Sequence, residues 1–366
     1  VEQAKISAYQ LFVLIVMFTV GSALMLPLAS EVKQSAWLAI LLGMGGGFLL
    51  YLIYHGLYQY YPNILPTEYV QKLLGKTFGR VLGFIYILYF MYLAARVLRD
   101  FGEMLLTFAY EDTPLFIANA LLIIVIVYTV RKGIEVIART GELLFVLAGL
   151  LAISGLILII ASGVIDTANL KPVLEKGLGA LLKTTATQTL YVPFGEVVVF
   201  AMILPYLNKS EKAKRAGLLA LTLSGVTLAL VAAINISVLG VSLLSRSQFP
   251  LLSSIQMIQI AGFLERLDVY FMLTLIIGGF CKIGIYTYVA IIGTADLFNI
   301  KESSQLSFPI GLIILLLSII IASNFSEHIQ EGLQIVTLYI LFPMQVIIPV
   351  LLLVIAFFKN RKKNNN

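Results

Sequence analysis

The chain has 366 residues, of which 60% are hydrophobic and 12% charged, with a mean hydropathy of +0.98. Charged residues stand at about half the ~25% usual for a soluble domain, so the polar surface that would cover a water-soluble globule is missing. That excludes a cytosolic enzyme, a nucleic-acid binder and a disordered chain, and leaves a polytopic, all-α membrane protein in contact with a lipid bilayer. The single cysteine, Cys281, excludes a disulfide framework. His55 and His328 lie far apart in the sequence and make no ligand cluster, so neither a metal nor a cofactor is expected. The net charge of +6 sits in short loops, which reads as membrane topology.

A span needs about 20 mostly apolar residues. Ten segments qualify, at roughly 10–29, 36–58, 80–108, 114–130, 141–163, 185–206, 216–243, 268–298, 307–324 and 334–358. The first is too long and uninterrupted for a signal-peptide core and follows only Lys5, so it is expected as a mature span. Residues 63–79 read as an amphipathic helix at the cytoplasmic interface. Residues 246–267 are too polar to span and too apolar to lie free in water, and are expected as a short outer helix capping the bundle. The tail 359–366, basic and then Asn-rich, reads as a stop-transfer cluster with a frayed end. With both termini inside, 16 Lys and Arg fall on the cytoplasmic side and 6 outside, while Arg96, Arg99 and Lys282 lie within spans. This bias predicts an N-in, C-in orientation.

Two spans carry breaks half a chain apart. The first contains Gly21-Ser22-Ala23 and then Pro27, and the sixth contains Val192-Pro193-Phe194-Gly195-Glu196. Proline removes a backbone donor and clashes with the preceding turn. Irregular backbone at membrane depth is tolerated only where protein or a cavity surrounds it. The first five spans start inside and the last five outside, so residues 8–165 and 183–358 form two halves of inverted topology in one membrane domain. Interrupted spans at matching positions of two such halves point to a binding site. The arrangement is similar to the LeuT-type 5+5 inverted repeat with broken helices 1 and 6. Amides at Gly21, Ser22 and Ala23 would open the outer half of the first span and suit a carboxylate. Glu196 would hold an ammonium or carry a proton. The plainer alternative is an acid that caps its own half-helix.

A charge at mid-bilayer costs at least ~2.5–3.5 kcal/mol on insertion scales, so each needs a partner or a task. In the third span Tyr89, Tyr92, Arg96, Arg99 and Glu103 fall on one helix face, and Arg96 with Asp100 and Arg99 with Glu103 are spaced as i,i+4 pairs. They read either as self-neutralised pairs locking the span or as a water-accessible ion path through Arg99, Asp100 and Glu103. Lys282, followed one turn on by Tyr286, is the deepest lone cation of the eighth span, and is expected to pair with Glu196 or to stand in for a bound cation. Enzyme motifs are absent: Gly75-Lys76-Thr77 lacks the upstream glycine of a phosphate-binding loop, because position 70 is Val.

Three stretches carry a family resemblance: Gly-Ser-Ala-Leu-Met-Leu-Pro at 21–27, Leu-Pro-Thr-Glu-Tyr-Val-Gln-Lys-Leu-Leu-Gly-Lys-Thr-Phe-Gly at 65–79, and Pro193 to Asn208 with its Phe-Gly-Glu-Val-Val-Val-Phe core. The chain resembles the B subunit of bacterial spore-germination receptors over essentially its whole length. The resemblance implies membership of the amino acid–polyamine–organocation transporter superfamily and residence in the spore inner membrane. It also implies an A subunit and a lipoprotein C subunit as partners, and recognition of a small-molecule nutrient, often an amino acid. Carried over by position, the pocket would comprise Gly21–Ala23 and Val192–Gly195, walled by Tyr92, Arg96, Lys282 and Tyr286. Three functions stay open: a nutrient-recognition subunit, a proton-coupled amino-acid transporter working through Glu196, and a water or ion channel along the third span.

Overall fold

The computed structural model describes residues 4–258 and 267–364. Seven helical stretches among them are long and apolar enough to cross a membrane: Ser30–Tyr60, Lys76–Phe108, Ile134–Ala161, Ser210–Leu244, Phe271–Phe298, Ser303–Ile320 and Phe325–Arg361. The shorter apolar helices α1 (Ala8–Gly21) and α5 (Leu115–Val130) and an irregular segment over 185–206 account for the other expected spans. The long elements are α2 (Ala36–Tyr60), α4 (Lys76–Phe108), α6 (Ile134–Ala161), α8 (Ala213–Leu244), α10 (Leu267–Phe298), α11 (Ser307–Ile320) and α13 (Ile348–Asn364). Short helices α3 (Pro66–Leu74), α7 (Gly177–Thr184), α9 (Pro250–Gln256) and α12 (Phe325–Gln330) connect them.

The layering follows from composition. In α10, 83% of the most apolar window is buried against α1, α4, α5 and α6, whereas in α6 the figure is 11%. A helix that is apolar all round can face lipid, while a central helix must make its polar groups meet partners inside the protein. The polar residues Lys282 and Tyr286 accordingly lie on α10.

The start of α1 is fixed by its own side chains. Ser7 Oγ accepts from Gln10 N at 3.1 Å and Gln10 Oε1 accepts from Ser7 N at 2.8 Å, a reciprocal capping box. Just before it, Ile6 N donates to Tyr206 O at 2.8 Å and Asn208 N donates to Ile6 O at 3.0 Å, tying the chain to the C-terminal end of the irregular segment.

Several boundaries differ from expectation. The first span does not continue as a helix to residue 29: α1 stops at Gly21, and turns run to a 3-10 helix at Ser30–Ser35. The interfacial stretch 63–79 is not one helix. It divides at Gly75, whose φ of +87° a side chain would strain, and α4 begins at Lys76. The tail is not frayed from 359. Helix α13 runs to Asn364, with Lys359 Nζ donating to Lys72 O at 2.5 Å. Helix α8 kinks at Gly240 (φ +64°), and the Ser237 carbonyl accepts from Asp166 N at 3.1 Å and Asn169 Nδ2 at 3.0 Å. Of the expected outer helix over 246–267, α9 is present, and residues 259–266 lie outside the described residues.

Candidate functional site

The second break sits where the sequence placed it. The segment is π-helical over Thr185–Phe194, leaves helical geometry at Val192 (φ −114°, ψ 115°), and resumes as a 3-10 helix over Gly195–Met202. A phenol of α2 ties this irregular path to the segment Pro343–Ile347 of the last span. Tyr54 Oη donates to Gly195 O at 3.3 Å and Gln345 O at 2.6 Å, and Gln345 Nε2 donates to Tyr89 Oη at 2.9 Å. Phe194 presses against Gly47 of α2, where a Cβ would lie 2.6 Å from the Phe194 Cβ.

The first break is set by a glycine crossing. A Cβ on Gly21 would come 2.5 Å from Gly278 O, so the α1 and α10 backbones touch directly. One helical turn beyond Gly278, Lys282 therefore meets the end of α1. Its ammonium donates to Ser22 Oγ at 2.8 Å and to Glu196 Oε2 at 2.6 Å. Tyr286 Oη donates to Glu196 Oε1 at 3.1 Å, and the Phe18 ring lies 5.1 Å below the ammonium. Lys282 is 1% exposed and Glu196 4%. One cation thus joins both broken segments, with its charge and both carboxylate oxygens satisfied.

This geometry settles two alternatives. The Lys282–Glu196 pair is formed, so Glu196 neither caps its own half-helix alone nor stands free for a ligand ammonium. No outer half-helix follows Gly21, so the amides at Gly21, Ser22 and Ala23 do not open a helix N-terminus. Beyond the break, Ala29 N donates to Gln188 Oε1 at 2.7 Å, a second link between the two irregular segments.

A second polar cluster lies further along α4. The expected Arg96–Asp100 pair is absent. Arg96 donates to the His328 carbonyl and, at 3.2 Å, to Tyr92 Oη, whereas Asp100 Oδ1 lies 2.9 Å from His328 Nε2. The i,i+4 pairing is the local option, but α12 brings a histidine and its carbonyl closer to both side chains. The Arg99–Glu103 pair is formed at 3.1 Å, and Arg99 also donates to Ile319 O at 3.0 Å. His328 Nδ1 and Arg99 Nε are buried without a hydrogen-bond partner.

Between the clusters lies a cavity of ≈ 50 Å³ bordered by Ser22, Arg96, Asp100, Val192, Glu196 and Gly332, with Leu93, Val336 and Leu341 as apolar wall. That is room for on the order of a few waters. Of the expected pocket residues, Ser22, Arg96, Val192 and Glu196 border it. Gly21, Lys282 and Tyr286 support it from behind. Ala23, Pro193, Phe194 and Gly195 are packed in the breaks, and Tyr92 reaches it through Arg96. Sequence reasoning missed His328, Tyr54, Gln345 and Gln188. The signal for Gln345 was Pro343 inside the last span, a second proline-marked irregularity.

A chain of membrane-spanning helices with two irregular segments crossing at a buried ion pair defines a LeuT-type polytopic membrane protein. The crystal structure of MhsT in complex with L-phenylalanine matches with a TM-score of 0.68 over 97% of this chain and 89% of that one, at 16% identity, which speaks for the fold. The family model described as spore germination protein matches residues 5–326, and the chain belongs to this family. Spore germination protein KB of Bacillus subtilis (strain 168) is 54% identical over 100% of this chain and 98% of its own length. Spore germination protein YndE of the same organism is 24% identical over 98% of each. The chain is thus an integral membrane protein of a germination-receptor family with a transporter-like fold, not an enzyme.

Proposed function

We propose that the protein is the nutrient-recognition subunit of a spore germination receptor, binding a small zwitterion such as an amino acid in the cavity between the broken segments. The carrying observation is that one cation and two carboxylates, Arg96, Asp100 and Glu196, border a single cavity beside apolar wall. Arg96 is the better carboxylate partner than the backbone at Gly21–Ala23, because its guanidinium now spends its hydrogen bonds on a carbonyl and a phenol. Asp100 is the better ammonium partner than Glu196, whose charge Lys282 already balances.

The cavity is too small for an amino acid as it stands. A ligand must part Arg96 from His328 and Gly332, and so move the α12 region relative to α4. A ligand shifts such an equilibrium only through its differential affinity for the two arrangements, which makes binding and signalling one event. On this reading residues 1–366 act as one membrane domain, with halves 8–165 and 183–358 related by inversion. The orientation is N-in, C-in in the spore inner membrane, and the receptor's A and C subunits read the shift. The MhsT complex supports the choice of ligand class, since that protein holds L-phenylalanine.

The test is equilibrium binding of an amino-acid panel to the purified chain, beside Arg96→Gln, Asp100→Asn and Lys282→Ala. Saturable binding lost in the Arg96 and Asp100 variants supports the assignment, and binding that survives both overturns it. Uptake into vesicles measured with the same ligand separates recognition from transport. Accumulation driven by a proton gradient and abolished by Glu196→Gln would make the protein a transporter.

A further inference from the structure

At the basic end of the bundle, the tight turn between α5 and α6 faces the connection from α10 to α11. The recess between them has a volume of ≈ 210 Å³, about four times that of the cavity between the broken segments. Tyr288 and Ile291 of α10 floor it. Its rim carries three cations, Arg131, Lys132 and Lys301, and none of them forms a salt bridge among the described residues. Arg131 instead lies over the Phe308 ring at 5.7 Å and Lys132 over the Tyr128 ring at 5.5 Å. The one carboxylate on the rim, Glu302, is engaged by Gln305 Nε2 at 2.6 Å.

Two helix N-termini converge here without a side-chain cap. Helix α6, 28 residues long, starts from Gly133, which has no side chain to offer, and the 3-10 turn Ser303–Leu306 runs directly into α11, with Ser307 N donating to Ser304 O, so the free amides there are those that open the turn. The first amides of a helix lack intrahelical acceptors and carry partial positive charge. An independent observation points the same way. Ser307 borders the recess, is fully buried, and its Oγ has no hydrogen-bond partner. A buried hydroxyl left unpaired costs free energy, on the order of 1–3 kcal/mol, which an acceptor in the recess would recover.

We propose that this recess binds a phosphate group, presented by a lipid headgroup or by a soluble phosphate ester. A tetrahedral anion with several terminal oxygens can accept at once from a guanidinium, two ammoniums, a hydroxyl and helix-end amides, which a single planar carboxylate cannot. The recess is separate from the nutrient cavity, so the proposal stands whether or not that assignment holds.

Titration of the purified full chain with short-chain phosphatidic acid, glycerol 3-phosphate and, as the phosphate-free lipid control, short-chain diacylglycerol tests it. The variants are Arg131→Gln/Lys301→Gln, Ser307→Ala, and Lys209→Gln/Lys212→Gln as a distant change of equal charge. The expected result is saturable binding of phosphatidic acid, at least five-fold weaker in the Arg131/Lys301 variant, about two-fold weaker in Ser307→Ala, and unchanged in the Lys209/Lys212 variant. Glycerol 3-phosphate binding as tightly as phosphatidic acid assigns the site to the phosphate ester itself, and binding of phosphatidic acid alone assigns it to lipid. The proposal is overturned if neither phosphate compound binds, if diacylglycerol binds equally, or if both double variants lose affinity alike. Arg131, Lys301, Lys209 and Lys212 are exposed, so an unchanged thermal unfolding midpoint is expected in both double variants and is measured on the same samples.

Discussion

The two buried charge clusters are built from similar residues and differ in where their hydrogen bonds go. Around Lys282 the bonds run from side chain to side chain, from α10 to both broken segments, and each charged group meets an opposite charge or a hydroxyl. Around Arg96 and Arg99 the donors reach mostly to backbone carbonyls at the ends of α11 and α12, and two buried nitrogens are left over. A fully paired buried cluster is hard to open, because separating the charges exposes each to a low-dielectric interior. A cluster that spends guanidinium bonds on carbonyls can exchange them for a ligand's carboxylate, since a charged acceptor makes the stronger bond. On the proposed function the first cluster is a pivot and the second a clamp.

The largest effect should follow from breaking the pivot. Lys282→Met leaves Glu196 buried and unpaired and should cost about 3–5 kcal/mol, read as a fall in the thermal unfolding midpoint in detergent. Adding Glu196→Gln should restore most of the loss, and a double variant as unstable as the single one would show that the pair itself is not the cause. Next comes the crossing that aims Lys282. Gly278→Val inserts a side chain where Gly21 leaves no room, and overpacking of this kind costs about 1–3 kcal/mol. A native-like midpoint would mean that α1 and α10 can separate freely.

In the clamp, Asp100→Ala unpairs His328 Nε2 and should cost about 1–3 kcal/mol, whereas Asp100→Asn keeps an acceptor and should cost less. If instead the conservative change destabilises as much as the deletion, the ionic charge matters more than the hydrogen bond. The smallest effect is expected at the surface, where Lys33 pairs with Glu175 across the 3-10 turn. The hydrogen bond from Lys33, joined by Gln34, holds the Glu175 carboxyl below the usual carboxylate range. A depressed value means that the link is intact above the ordinary carboxylate value and is lost as pH falls through the lowered one. The only tryptophan, Trp37, lies four residues on. Its emission should shift at acid pH in the wild type but not in Glu175→Gln, and high salt should mute the response.

Much of this was legible in the sequence for local reasons. Proline at 193 followed by Gly195 disrupts a helix wherever it occurs, so the second break fell at Val192 as expected. The first break was placed correctly but its sequel was not. Pro27 weakens a helix over Ser22–Ala29, but that the segment turns instead of resuming as a half-helix is decided by Gln188, which holds Ala29 N, and by the 3-10 helix at Ser30–Ser35. Arg99 and Glu103 formed their i,i+4 pair, whereas Arg96 and Asp100 did not, because His328 arrives from 228 residues beyond Asp100. Periodicity marks which residues share a helix face and is silent about what that face meets.

The sequence by itself determined the solvent of this protein, the number of its crossings and the places where two of them must break. Those follow from apolar length, charge counts and the missing amide of proline, all properties of the chain within about one span. Only the tertiary structure decided which buried charge pairs with which, that Gly21 and Gly278 touch, and that Ser307, its hydroxyl unpaired, borders a basic recess. Burial removes water as the default partner, so each polar group must find whatever the fold brings within about 3 Å, and that choice is made by elements distant in sequence.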